Sequence, residues 1–253
     1  MASDRDGTPN AGQLDRAESA YRQSLAISIR EKDLAGEARS LGELGNLYNR
    51  WGRLEEAVQC YRQAADIYVR LQDGANEGRA RGNLAGTLIK LGRYDEARTD
   101  LLRAVDCDKP YGHAAEPWKT WALLHNLEQA VGHPQAAAEA RQRAIESYLS
   151  YRRDGGQSGQ PGAQACAAVA DAIQSGNRSK MAELTRKLTA VLEGSSGTVP
   201  PWAKAMFPKL QAILAGSRGP ALADDPALDF DDAAELRLLL ESLRIQSDQK
   251  RPW

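Results

Sequence analysis

Cysteine is scarce and scattered: Cys60, Cys107 and Cys166 are the chain's three, odd in number and outside any CxxC spacing. That excludes a disulfide framework and a thiolate zinc site, and it fits a reducing compartment. Histidine is as sparse, and His113, His125 and His133 lack the spacing of metal ligands. Net charge is missing as well, because 33 Lys and Arg stand against 34 Asp and Glu to leave −1. No global field therefore draws the chain to nucleic acid or to an anionic membrane. No apolar run approaches the ~18 to 20 residues of a membrane span, and the opening MASDRDGTPNAGQLDRAESAYRQ lacks the apolar core of a signal peptide. The motifs GxSxG, GxxxxGKS/T and GxGxxG do not occur. Cys60 and Cys107 read as core fillers without a basic neighbour placed to lower a thiol pKa, and His125 reads as a packed or surface imidazole. These absences describe a cytoplasmic protein that is no enzyme, has no cofactor or metal, and has neither nucleic acid nor membrane as partner.

What the 253 residues do contain is alanine, a 42% share of hydrophobic residues and a period. In LGELGNLYNRWGRLEEAVQCYRQA, from Leu41 to Ala64, small Gly45, Ala57 and Ala64 alternate with bulky Leu44, Tyr48, Leu54 and Tyr61. Small residues let two helices approach closely and bulky ones fill the space beside them, so the stretch reads as a helical hairpin turning at Gly52. Gly52, Gly92 and Gly132 follow at intervals of 40, each ahead of a similar segment. On that grid Ala57, Ala97 and Ala137 coincide, as do Ala64, Ala104 and Ala144, and Leu44, Leu84 and Leu124. Apolar residues at i, i+3, i+4 and i+7 predict a helix A near Glu37 to Arg50 and a helix B near Leu54 to Leu71. An earlier copy, LDRAESAYRQSLAISI, supplies a helix B alone.

Leu44-Gly45, Tyr48, Gly52, Leu54, Ala57, Tyr61 and Ala64 resemble the signature of the tetratricopeptide repeat. Leu84-Ala85, Leu88, Gly92, Tyr94, Ala97, Leu101 and Ala104 match it in the next unit. The 40-residue spacing, against the commoner ~34, resembles the longer repeats of kinesin light chains. The resemblance implies an all-α fold: a TPR-type α-solenoid of one orphan helix and about three hairpins over residues 14–152. The stretch 153–162 then reads as a linker, and 163–245 as a small C-terminal helical bundle. Gln13 to Ile29 would serve as an N-terminal cap, with an apolar edge at Leu14, Tyr21 and Leu25 that is exposed if a longer array has been shortened. In the third unit Glu128 and Arg141 replace apolar grid residues. They read either as exposed charges or as a buried pair with each other.

Beyond the linker, helices are predicted near Ala163 to Gln174, Ser179 to Glu193, Pro201 to Ala215 and Asp232 to Leu243. Asp232 and Glu235, three residues apart, read as a capping-box variant. The acids of ALADDPALDFDD lack the spacing and the central glycine of a calcium loop, so they read as caps and solubilising charges.

Function is therefore sought on a surface. The resemblance implies an inner wall built from the A helices. In the first unit it would present Arg39, Asn46, Asn49 and Arg50, with Gly42 and Glu43. In the second it would present Arg79, Asn83 and Lys90, with Gly82, Gly86 and Ile89, and in the third Lys119 and Asn126, with Ala122, Leu123 and Gln129. Arg and Lys pair with carboxylates, Asn bonds a peptide backbone through donor and acceptor, and glycine leaves room for it. The reading is a non-enzymatic module that binds an extended, acidic protein or peptide segment in this basic, amide-rich groove. The alternative is a regulatory or sensor arm of a bacterial signalling ATPase or protease system, with the groove self-occupied until triggered. It rests on the tail LADDPALDFDDAAELRLLLE, which resembles extensions of bacterial multidomain repeat proteins.

Overall fold

The computed structural model describes residues 11–194 and 198–249. They form eleven α-helices and, among the described residues, no strand. Two compact units divide them, one ending at Ala140 and the other beginning at Arg141.

The first unit holds α1 (Ala11–Glu31), α2 (Leu34–Trp51), α3 (Leu54–Leu71), α4 (Gly74–Lys90), α5 (Tyr94–Asp108), α6 (Pro117–Ala130) and the start of α7 (Pro134–Arg153). Local chemistry sets the helix ends. Asp33 and Asp73, 40 residues apart, cap α2 and α4 by accepting from the amides of Gly36 (2.9 Å) and Asn76 (3.1 Å). Gly52, Gly92 and Gly132 turn at φ 80°, 73° and 79°, a left-handed conformation that glycine adopts without steric penalty. A second series at the same interval, Lys32, Gln72 and Gly112 at φ 57°, 55° and 53°, closes the alternate turns. Consecutive helices pack against one another from α1 to α6.

The grid residues are the core. Leu44, Tyr48, Ala57, Tyr61, Leu84, Leu88, Ala97, Leu101, Leu124 and Leu127 are buried in one cluster. Gly45 is required there: a Cβ on it would lie 2.6 Å from Tyr61 Cε1, so α2 and α3 meet at that point only because the side chain is absent. Of the edge formed on α1 by Leu14, Tyr21 and Leu25, all three are partly buried and the latter two pack on the core, while Ile27 and Ile29 on the same helix are exposed.

Glu128 is buried as half of an ion pair, but its partner is not Arg141. Arg98 holds it in a bidentate grip at 2.6 and 3.0 Å, and His133 Nδ1 lies 2.8 Å from one of its oxygens. Arg141 belongs to the second unit, where its guanidinium donates to the carbonyls of Asp225 (3.2 Å) and Leu228 (2.9 Å). An arginine stem is long enough to reach across a neighbouring helix, so equivalence on the grid does not name the partner.

The second unit contains the rest of α7 with α8 (Pro161–Gln174), α9 (Arg178–Leu192), α10 (Pro201–Leu214) and α11 (Phe230–Gln249). Val169, Met206, Leu210, Ile213 and Leu236 are fully buried in it. Because α11 begins at Phe230, Asp232 and Glu235 lie inside the helix and are buried, so the capping-box reading fails. Glu235 instead accepts from the Tyr148 hydroxyl (2.8 Å), with Arg152 Nη1 2.7 Å from the same oxygen. The acids of the preceding loop are engaged within this unit, Asp224 with Arg237 (3.1 Å) and Asp225 with Lys209 (2.6 Å).

Asp232 packs against Gly162, where a Cβ would collide with its Oδ1. Burial, reinforced by Asp231, Asp229 and Glu235, pushes its carboxyl up to about 7. A carboxyl that holds its proton more tightly when folded contributes stability below its unfolded pKa, near 4, and that contribution is lost as pH rises through the folded value. Between pH 4 and 7.5 the second unit is therefore expected to lose on the order of 3 kcal/mol through this group. Asp232→Asn should flatten that part of the profile; melting curves of both chains that stay parallel across the range would show that Asp232 does not carry it.

Candidate functional site

The A helices α2, α4 and α6 carry the residues predicted for binding, and their side chains fall into two sets. One set is a ladder joining α2 to α4. Asn46 Oδ1 accepts from the Tyr61 hydroxyl (2.7 Å) and, at 3.5 Å, from Asn83 Nδ2. Asn49 donates to Thr87 Oγ1 (3.0 Å) and accepts from Lys90 Nζ (2.6 Å). Asn49 thus commits both ends of its amide to holding the helices in register, which leaves it little to offer a ligand.

The other set is unengaged. Arg39, Arg50, Arg79 and Asn126 are exposed, and among the described residues none has an ion pair or side-chain hydrogen bond. Lys119 is exposed and pairs with Glu116 (2.6 Å), three residues before it. Around them Gly42, Gly82 and Gly86 face open space, since a Cβ on any of the three would meet nothing within 4 Å.

Elsewhere in the unit arginines are tied down, with Arg16 and Arg70 the exceptions among the described residues. Arg53 and Arg93, 40 residues apart and each just after a turn glycine, clamp the acid three residues on (Glu56, Glu96) and one on a preceding helix: Arg53 reaches Glu18 at 2.8 Å, Arg93 reaches Glu55 at 3.0 Å. Arg81 lies between buried Glu77 (2.8 Å) and buried Asp100 (2.6 Å), and Arg103 closes on Glu77 from the other side. Both series are legible only once the helices are placed.

Between α5 and α6 the regular turn is replaced by a 3-10 segment, Lys109–Ala115, and α6 is only 14 residues long against 18 in α2. Its Tyr111 reaches over Gly74 at the start of α4, where a Cβ would stand 3.4 Å from the phenol oxygen. The result is a cleft of about 450 Å³ that takes Arg79, Gly82 and Asn83 from α4 and Lys119 and Leu123 from α6. Asp108, Tyr111, Glu116 and Thr120 also line it, and the A-helix pattern does not predict them. Arg39, Asn46, Asn49, Arg50, Lys90 and Asn126 lie outside this cleft.

The thiols of the unit are inert, since burial pushes Cys60 and Cys107 up to about 11. His125 Nδ1 sits 2.8 Å from the Ala137 carbonyl as a packed imidazole. Among the described residues no His, Cys, Asp and Glu group could hold a metal, and no helix is long and apolar enough to cross a membrane.

A tetratricopeptide-repeat family model matches residues 10–68, and a second matches residues 78–107. The two matched stretches carry the tetratricopeptide-repeat pattern. Solved structures of the same architecture include BtubC (BKLC) from P. vanneervenii, with a TM-score of 0.52 and 18% identity over 96% of this chain and 77% of that one. Another is a single-residue variant of a Podosopora anserina protein described as having "kinesin light chain nearly identical TPR-like repeats", at 0.50 and 14% over 94% and 90%. At such identities the likeness speaks for the fold. Comparison with curated proteins returns no match. Tetratricopeptide repeats are generally protein-protein interaction modules and non-catalytic scaffolds.

Proposed function

We propose that this protein binds an extended peptide segment bearing acidic side chains along the A-helix face of its tetratricopeptide repeats. The observation that carries the reading is the state of the arginines. Arg39, Arg50 and Arg79 stand exposed and unpaired on that face, whereas Arg53, Arg81, Arg93, Arg98 and Arg103 are held by carboxylates of the protein. Cations left without internal partners beside glycines that leave open space offer charge-assisted bonds to a main chain lying close to the helices. Asn83 donates only a long bond to Asn46, so its carbonyl remains for a peptide N–H.

The test is an array of twelve-residue peptides of graded charge, probed with the full chain and with an Arg39→Ala/Arg79→Ala/Asn83→Ala variant. Acidic peptides should be retained, and the variant should bind them about 10- to 100-fold more weakly, as expected for the loss of one or two charge-assisted bonds. Equal retention by both chains, or no preference for acidic peptides, would move the binding surface elsewhere.

A further inference from the structure

Among the described residues Asp108 has no counter-charge. It ends α5, it is 7% exposed, and its one side-chain hydrogen bond comes from Thr120 Oγ1 to Oδ2 at 3.0 Å. Its neighbour Lys109 turns away to Asp106, at 2.6 Å. Arg79 and Lys119 share the cleft, yet neither comes within ion-pair distance of it. A carboxylate at a helix C-terminus also faces the negative end of the helix dipole. It caps nothing in the 3-10 segment that follows. Buried carboxylates are ordinarily paired with a cation or accept several hydrogen bonds, because the lost hydration must be replaced. Here one neutral donor meets Oδ2 and Oδ1 is left to the solvent side of the cleft, and burial raises the Asp108 carboxyl above its usual range.

The surroundings are shaped for the missing partner. Oδ1 lies against Gly78, where a Cβ would approach to 3.0 Å, so glycine is what allows the carboxylate to reach the cleft wall. Ala75, Gly82 and Leu123 supply a narrow apolar lining, and the half-exposed ring of Tyr111 stands beside it. An aliphatic stem beside small residues, ending in a cation between a carboxylate and an aromatic ring, satisfies every one of these groups.

We propose that this cleft receives one cationic side chain, a lysine ammonium or an arginine guanidinium, from the peptide bound on the A-helix face. The inference deepens the function proposed above and rests on it. The bound segment would then be mixed in charge: acidic residues meet Arg39, Arg50 and Arg79, and one cation enters between α4 and α6.

The test uses the full chain and three small probes: N-acetyl-lysine methylamide, N-acetyl-arginine methylamide and the uncharged N-acetyl-norleucine methylamide. Binding is read from the backbone amide resonances of Gly78, Gly82 and Thr120. At least one cationic probe should shift them saturably, its identity separating ammonium from guanidinium, while norleucine should not. Asp108→Asn, which keeps the Thr120 bond, should weaken that binding at least tenfold and yet melt at a higher temperature than the parent, since it removes an uncompensated charge. Gly82→Val, placed in open space, should fill the cleft and block the probe without unfolding the chain. Arg39→Ala/Arg50→Ala should leave probe binding unchanged, so failure of the wider peptide reading would not be mistaken for failure here. Absence of shifts with both cations, equal shifts with norleucine, retained binding in Asp108→Asn, or a lowered melting temperature for that variant would each overturn the proposal.

Discussion

Arg81→Met is expected to destabilise the repeat unit by about 3–5 kcal/mol at neutral pH, the cost of leaving a buried charge without its partner. Arg81 bridges Glu77 and Asp100, which are 3% and 9% exposed. Glu77 would keep Arg103, at 2.8 and 3.1 Å, whereas Asp100 has no second ion pair among the described residues. Methionine fills the space of the stem and removes only the charge. Burial already holds the Asp100 carboxyl above its usual value with Arg81 present, and without the guanidinium it rises further. A group raised in this way is at its least favourable where the unfolded chain would be ionised, so the deficit should be full at pH 7.5 and smaller at an acid pH, where Asp100 takes up its proton. Native-state hydrogen exchange of the α4 and α5 amides at both pH values checks this. A deficit that does not change with pH would mean that Asp100 is not the stranded charge. Arg81→Met/Asp100→Leu should recover much of the loss, because an apolar pair of similar volume replaces a buried ionic one at little cost.

Tyr61→Ala should cost a comparable 3–5 kcal/mol, roughly the range for emptying an aromatic site in a core. The ring is 2% exposed and lies against Gly45, and its hydroxyl donates to Asn46. Tyr61→Phe separates the two contributions: it keeps the ring, gives up one hydrogen bond worth about 1 kcal/mol, and leaves Asn46 with its long bond from Asn83. The contact with Gly45 makes a sharper test. Gly45→Ala alone should destabilise by about 1–3 kcal/mol through overpacking. In the Tyr61→Ala background the same change should be neutral or favourable, since the new methyl enters vacated space and alanine is the better helix former by about 1 kcal/mol. Thermal melts of the four chains give the coupling; simple additivity would deny that the glycine is there to admit the ring.

The repeat was legible because packing constrains residue size: Gly45, Ala57, Tyr61 and Ala64 have nowhere else to go, and the 40-residue offset repeats them. The turn glycines were legible for a different reason, since few residues tolerate their backbone. The alternate turns were not. Lys32 and Gln72 adopt left-handed φ without announcing it, and Gly112, which does announce it, sits where the hairpin has been rebuilt as a 3-10 segment. That rebuilding is also why Asp108, Tyr111 and Thr120, which line the cleft beside Arg79, Asn83 and Lys119, fall outside the A-helix pattern. Their convergence depends on a chain path that periodicity does not describe. Charged pairs were the least legible of all. The grid marked Glu128 and Arg141 as either exposed or paired with each other, and neither reading holds for Glu128, because a guanidinium can reach its carboxylate from several registers.

Cys60 and Cys107 stay protonated to about pH 11 and Cys166 is pushed higher still, all three by burial. At pH 7 very little of such a thiol is thiolate, and the thiolate is the form that alkylating reagents attack. The native chain is therefore nearly silent towards maleimides. A single cysteine placed at exposed Asn126 would be the one fast-reacting handle. A dye or spin label could then be attached beside the A-helix face without removing any native thiol.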